Sequence, residues 1–485
     1  MSARPAMKQP ASPARNLHRR DCLRLMGASL GAALGGAATL PWLSGNARAA
    51  DDDYKALVCI FMYGGCDGMN AVVPRDATRH AEYAAVRGAL ALPRSSLVPL
   101  NADYGLHPAL QALSAAWAGG ALAPLFNVGP LYAPVDKATL RAAPPGSPLI
   151  PDNLFSHSDQ QVLWEAAATD SLERTGWGGR ATTVLGTTNP VISFGGNGHF
   201  GLSALNQPWV LPGPGEQFGA QGFYDWAPVN AREAALRAIQ AEAQTTPLAE
   251  AYAKGRREAF ELQGRLQGLF DFDPNPAADA SGVVQAFAPL MANGQLPGPL
   301  ARQLFQVARF VNARAQVRGG RQVFFVQLGG FDTHAGQVGT SALEGAHAAL
   351  LGELGDALAA FWRALQAVGM GDRVTAFTQS DFGRTFKPNE TSGTDHAWGN
   401  HHLVLGGAVA GGQTYGRYPT LALGGPDDVG VQDWELHGRW IPGLSVDQYA
   451  ATLLRWFGAA DGQIDTVLPN LRNFGSARNL GFMRA

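Results

Sequence analysis

Short runs of uninterrupted apolar residues take turns along this chain with longer segments whose apolar positions recur every three or four residues. Ala56-Leu-Val-Cys-Ile-Phe-Met62 is a continuous apolar run that ends at Gly64-Gly65, and it predicts a strand buried on both faces. Leu122 to Val128, Pro190 to Phe194, Gln322 to Leu328 and Arg373 to Phe377 predict further strands, followed by Leu403 to Val409 and Thr420 to Leu423. Between them, His107-Pro108 opens a helix that stops at Gly119-Gly120, with Pro near its start and Gly at its end. Gln160 to Ala168 and Val446 to Phe457 are helical. Leu343, Leu350, Leu354, Leu358, Trp362 and Leu365 make one stripe of a long amphipathic helix. Helical patterning around residues 230–317 predicts an inserted or peripheral helical layer. The alternation as a whole predicts an α/β fold around a mostly parallel sheet.

In such sheets ligands bind outside the carboxyl ends of the strands. Asp67, the segment around Ser156, Asp332 and Asp381 each follow a predicted strand, so they are expected at one rim. Five of the eleven histidines fall between residues 334 and 402, beside aspartates. Asp332 and His334 are two apart at a strand exit, where an extended backbone points both side chains to one side and favours joint ligation of a metal. In Gly393-Thr-Asp-His-Ala-Trp-Gly-Asn-His-His402, His396 is the chosen ligand, with His401 and His402 in reserve. His347, on the long helix, is assigned to ordinary packing. Arg384 is either a structural partner of Asp381 or a two-pronged holder of an anionic substrate group. Ser156 stands before a helix, where a hydroxyl serves as nucleophile or as helix cap, and Ser158 is not separated from it.

The N-terminus bears on where this chemistry takes place. Arg19-Arg20 precedes an apolar, Gly/Ala-rich run from about Leu25 to Leu43, and Ala47-Arg-Ala49 forms a small-x-small cleavage pattern. Residues 1–49 are therefore expected to be a twin-arginine signal peptide, and residues 50–485 one α/β domain carrying the helical insertion, destined for the periplasm or for secretion. Beyond residue 50 no apolar run is long enough to span a bilayer, so no stable membrane insertion is expected after signal removal. Net charge is −2 and 16% of residues are charged, which leaves no basic surface for nucleic acid. Cys59 and Cys66 are expected to be free, buried thiols.

Tyr63-Gly-Gly-Cys-Asp-Gly-Met-Asn70, Gly105-Leu-His-Pro-Ala-Leu110, Ser156-His157 with Gln161 and Glu165, Gly329-Gly-Phe-Asp-Thr-His334, Asp381-Phe-Gly-Arg384 and Gly393-Thr-Asp-His396 together resemble the domain-of-unknown-function 1501 family, across essentially the whole mature chain. That family is grouped with the alkaline phosphatase-like superfamily of metal-dependent phosphatases, sulfatases and phosphomutases. The resemblance implies a three-layer α/β/α sandwich with a metal site at the strand ends. It implies Asp67, Asp332, His334, Asp381 and His396 as metal ligands and Ser156 as nucleophile. Three departures stand out: Phe382 where the superfamily often has histidine, a close Asp332/His334 spacing, and no sulfatase signature around either cysteine.

These features lead to an exported hydrolase or group-transfer enzyme that uses one or two divalent ions, zinc or calcium, on a phosphate or sulfate ester or related bond. Its expected partner is a small-molecule or polymeric anionic ester, with Arg384 holding the anion. The rivals are a non-catalytic binding or assembly protein in which Phe382 and Trp398 fill the second-metal cavity, and, last, a metal-free serine hydrolase.

Overall fold

Alternate residues of the first long strand, β1 (Lys55–Met62), feed two separate hydrophobic cores. Ala56, Val58, Ile60 and Met62 point into one and Leu57, Cys59 and Phe61 into the other, as a period of two requires of a strand covered on both faces. The computed structural model describes residues 53–219, 227–242 and 244–484, so the expected signal peptide lies outside the described residues. Cys59 and Cys66 are free and buried, as expected. Among the described residues no helix is long and apolar enough to cross a membrane.

The remaining strands are β2 (Val72–Pro74), β3 (Val98–Pro99), β4 (Tyr104–Leu106), β5 (Leu122–Gly129), β6 (Ile192–Ser193), β7 (Trp209–Val210), β8 (Arg321–Leu328), β9 (Val374–Ser380), β10 (Asn400–Leu405) and β11 (Leu444–Ser445). Eight of them form one sheet in the order β11-β5-β10-β9-β1-β8-β6-β7, and β2-β4-β3 form a small antiparallel sheet. Within the large sheet only β10 runs against its neighbours. The mostly parallel α/β organisation expected from the hydrophobic pattern is present.

Helices cover both faces. Pro299–Asn312 and Ala346–Ala367 pack their apolar sides into the first core, while Val446–Phe457 and Trp177–Val184 pack into the second. The expected helical stretch near residue 230 is a pair, Ala227–Ala241 and Pro247–Leu266. Some boundaries differ from expectation for local reasons. The long amphipathic helix starts at Ala346, after Gly345 at φ 114°, so Leu343 stands outside it and is exposed. The segment after His107 begins as a 3₁₀ turn, Pro108–Leu113, and becomes α-helical only over Ser114–Ala118. Thr420 to Leu423 is not a strand: the Asp427 carboxylate accepts from the Thr420 N–H, and Leu421 sits at φ 63°, which an extended ladder does not allow.

Two features of this sheet position the candidate site. β1, β8 and β9 are in register at their carboxyl ends, with Met62 opposite both Leu328 and Ser380, so the loops that follow all emerge at one edge. β10 begins at that same edge because it runs the other way. The loop that precedes it, carrying Asp395 and His396, therefore reaches the rim from a strand's amino end.

Candidate metal centre

Asp332 leaves β8 through Gly329-Gly330 and lies against the turn after β1. A side chain at Gly64 would meet the Asp332 backbone nitrogen at 2.4 Å, and Gly64 also takes φ 111°, so glycine is required there on both counts. Gly393 is needed in the same way: a Cβ there would lie 2.2 Å from the His334 carbonyl oxygen. These close approaches bring three loops together around one carboxylate.

The Asp332 Oδ1 atom faces three imidazoles. His334 Nε2 lies 3.1 Å from it, His157 Nε2 3.3 Å and His396 Nε2 3.4 Å. His334 Nε2 and His396 Nε2 are 2.8 Å apart. Arg384 bonds the same Asp332 oxygen. Among the described residues, His157, Asp332 and His396 make the group of metal-capable side chains whose ligand atoms all lie within 4.8 Å of one another. His334 adds its ring through the contacts with Asp332 and His396. The mouth is open to solvent, since Asp332 and His334 are each 45% exposed.

What holds the far side of each ring fixes the chemistry of the near side. His157 Nδ1 is 2.7 Å from Asp381 Oδ2, His334 Nδ1 is 2.9 Å from Asp395 Oδ1, and His396 Nδ1 is 2.6 Å from the Phe155 carbonyl oxygen. A carboxylate and a carbonyl only accept, so each Nδ1 carries a proton and it is the Nε2 atoms that are turned toward Asp332. His157 Nε2 is buried with no hydrogen-bond partner. Arg384 answers the charge of the Asp332 oxygen from one side, but two Nε2 atoms at 2.8 Å cannot both present lone pairs, so a cation, either an added proton or a metal ion, is called for among the rings. Donors about 2.0–2.2 Å from one ion lie roughly 3 to 3.5 Å from each other. The three contacts with Asp332 fall in that range and the His334–His396 contact just below it. The donor set therefore fits a divalent ion.

The protonation energetics follow from these contacts. Partial burial works to raise the Asp332 carboxyl, but the Arg384 hydrogen bond and charge, with His334 and His157, outweigh it and hold it down at about 2. The hydrogen bond to Asp381 raises His157 above its ordinary value, against a smaller opposing effect of desolvation. Desolvation lowers His396, and repulsion from His157, Arg384 and His334 adds to it.

Of the residues expected here, Asp332, His334 and His396 come together. His157 joins them although the sequence had pointed to its neighbour. Asp381 stands one bond further out: besides His157 it accepts from Gln161 Nε2 at 2.8 Å and from the Gly64 N–H at 3.0 Å, so its oxygens are committed behind the ring. Asp67 corrects the expectation of a common rim. It is fully buried, paired with the Arg87 guanidinium, and its Oδ2 also accepts from Gln337 at 2.6 Å. Arg384 is a second correction. Its guanidinium is buried and bonded to the carbonyls of Gly64, Gly65 and Thr394 as well as to Asp332, so it braces the site and is not free to hold an anion.

Ser156 is the residue before the helix His157–Ala166, and its Oγ donates to Asp159 at 2.6 Å while lying 3.2 Å from Ser158 Oγ. Neither hydroxyl bonds an imidazole, so a Ser–His pair is not formed here. The reserve histidines are core residues. His401 packs on Phe126 and Tyr418, and His402 on Trp164 and Tyr449, on opposite faces of β10. Burial pushes both down to about 3 and keeps them neutral. His347 is buried in the helix packing, as expected. Phe382 is buried against the rings of His157 and His396, at 4.7 and 4.5 Å between centroids, and forms the wall of the cluster. Trp398 is buried too, and its Nε1 donates to the Pro130 carbonyl.

Residues 223–461 match the family model described as "Protein of unknown function (DUF1501)". No curated protein matches the chain. Matching solved structures include one titled "Crystal structure of Ps i-CgsB", 10% identical, with a TM-score of 0.34 over 87% of this chain and 77% of that chain. A second, "Crystal structure of Ps i-CgsB in complex with k-i-k-neocarrahexaose", is 11% identical, with a TM-score of 0.32 and the same coverage. At these scores the likeness carries no argument.

Proposed function

From a chain that belongs to the DUF1501 family, whose description names no activity, we propose an exported, metal-dependent hydrolase or group-transfer enzyme of alkaline phosphatase-like architecture, acting on a phosphate or sulfate ester or related bond. The observation that supports it most is the convergence of imidazole Nε2 atoms on Asp332 with every Nδ1 tied to an acceptor. His157, His396, His334 and Asp332 would hold the ion. A bound divalent ion supplies Lewis-acid polarisation of an ester oxygen and lowers the pKa of an attacking hydroxyl or water. Arg384 keeps Asp332 ionised and oriented, and Asp381, Asp395 and the Phe155 carbonyl keep the three rings aimed. Ser156, next in sequence to His157, is the candidate nucleophile, with Asp159 placed to accept its proton. The substrate is a small or polymeric anionic ester, and the twin-arginine leader directs the enzyme to the periplasm or the exterior.

Metal analysis of protein purified without chelator tests this directly. Stoichiometric divalent metal, lost in an Asp332→Ala/His396→Ala double variant that still folds, is the expected result. Folded protein that carries no metal and gives no response to added divalent ions would sink it.

One observation favours a second assignment, a binding or assembly protein on the same fold. Phe382 packs between Gly65 and the imidazoles, and Asp67 is sealed by Arg87, so the rim lacks the carboxylate expected from the first strand. Metal-loaded protein inactive on phosphate and sulfate monoesters and diesters alike would favour that alternative.

A further inference from the structure

We infer that the cluster is built for one zinc-class ion, held by His157, His396 and Asp332 with His334 as a fourth donor on the solvent side, and not for calcium or for a pair of ions. This rests on the proposed metal-dependent function and narrows it.

Donor type argues for the ion's class. Three imidazole nitrogens and one carboxylate oxygen suit zinc and neighbouring first-row ions, which accept nitrogen readily at low coordination number. Calcium needs six to eight oxygen ligands and magnesium a near-octahedral oxygen shell. Several oxygens nearest the cluster already accept hydrogen bonds, and those of Asp381, Asp395 Oδ1 and the Phe155 carbonyl point at the far side of the rings. Asp381 accepts from His157, Gln161 and Gly64; Asp395 accepts from His334 and from Asn389 Nδ2 at 3.0 Å; and the Phe155 carbonyl accepts from His396. Each of them orients an imidazole.

The surroundings argue for a single ion. A second ion beside the first would need carboxylates from the β1 and β9 exits. The β1 carboxylate, Asp67, is fully buried and its Oδ2 is paired with Arg87 and accepts from Gln337, away from the imidazoles. Beside Asp381 stands Phe382, whose ring fills the space between Gly65 and the His157 and His396 rings: a Cβ on Gly65 would meet that ring at 2.5 Å. A hydrocarbon wall offers no ligand and excludes the water that a second ion would keep.

The rings' outer partners give the inference a signature beyond metal content. Carboxylates that hold ligand imidazoles commonly tune metal affinity by roughly 10–100-fold. Asp381 and Asp395 are thus positioning residues. Asp395→Asn, at a half-exposed position, is expected to weaken zinc affinity by about that factor without changing the stoichiometry.

The full exported chain is stripped with a chelator and titrated separately with zinc, cobalt(II), calcium and magnesium by calorimetry, with bound metal measured by mass spectrometry. Expected are one equivalent of zinc, binding at least about 100-fold tighter than calcium, and one equivalent of cobalt with a visible spectrum typical of nitrogen-rich, low-coordinate sites. His157→Ala should abolish that spectrum. His334→Gln, on the exposed side where folding is least at risk, should weaken zinc binding without changing the melting temperature of the stripped protein. Two equivalents of zinc, or calcium binding as tightly as zinc, would overturn the inference while leaving a metal-dependent enzyme standing. Folded protein that binds none of the four ions would remove both.

Discussion

Asp67 and Asp332 follow neighbouring parallel strands, and each places a carboxylate against protein, yet the two are neutralised in opposite ways. Asp67 is sealed. The Arg87 guanidinium pairs with it at zero exposure, while its remaining donors go to Asn70 and to the carbonyls of Thr385 and Phe386. Asp332 is open. One arginine holds it, three imidazoles look at the same oxygen, and nearly half of the side chain faces solvent. Among the described residues, Arg87 and Gln337 both bond Oδ2 of Asp67 and no ligand-type side chain joins them, leaving its buried Oδ1 without a partner, whereas at Asp332 the arginine shares its oxygen with three imidazoles that can take up a cation. The first arrangement is a structural knot. The second is the arrangement proposed above as a metal site.

The largest expected effect comes from breaking the knot. Arg87→Met leaves a buried carboxylate without its partner and should cost about 3–5 kcal/mol of unfolding free energy, read by denaturant titration. If the variant still folds, its response to added zinc should match the wild type, because the knot supplies no ligand. A loss of zinc binding with the fold intact would show that the two regions are one site. Stripping the metal is the corresponding test of the open cluster. At a free zinc concentration about 100 times the Kd, the native chain should gain about 2.7 kcal/mol, seen as a higher melting temperature that chelation removes. Asp332→Ala/His396→Ala should melt at one temperature with or without zinc.

How much of this was legible in the sequence depended on the range of the interaction. Strand ends were legible, because a continuous apolar run ending in glycines is a local signal, and Asp332, His334 and His396 followed from it. His157 was not legible as a ligand because a serine just before a helix is the stronger local signal. A signal was present: His157, Gln161 and Glu165 recur every four residues on one helix face, and the first two meet Asp381. The fates of Asp67 and Arg384 were not legible. Arg87 reaches Asp67 across a turn and a helix, and most of the partners of Arg384 are backbone carbonyls, which every residue type offers equally. His401 and His402 resembled ligands only by proximity to His396. Lying on a strand, they turn to opposite faces, and each finds aromatic packing in place of a carboxylate.

A third carboxylate completes the comparison, with an effect that vanishes toward pH 4 and appears only as the pH rises. Asp447 is fully buried at the start of the helix Val446–Phe457, and its Oδ1 has no hydrogen-bond partner. Arg180 is near enough to attract it, but the guanidinium is bonded to the carbonyls of Val467, Thr175 and Ala166. With neither a dedicated arginine nor imidazoles, this group keeps its proton: desolvation outweighs the attraction of Arg180 and raises it to about 8. In the unfolded chain the same carboxyl loses its proton near pH 4, at about 3.9. Between those limits unfolding releases a proton, so the native chain loses stability as pH rises from about 4 to about 8 and levels off above. Asp447→Asn keeps the shape and removes the titration. The variant should gain on the wild type as pH rises, by up to about 3–4 kcal/mol at pH 8 relative to pH 5 at about 1.4 kcal/mol per pH unit, measured as the difference in melting temperature at the two pH values. A difference that stays flat with pH would mean that Asp447 is ionised in the fold, with Arg180 acting toward it as Arg87 acts toward Asp67.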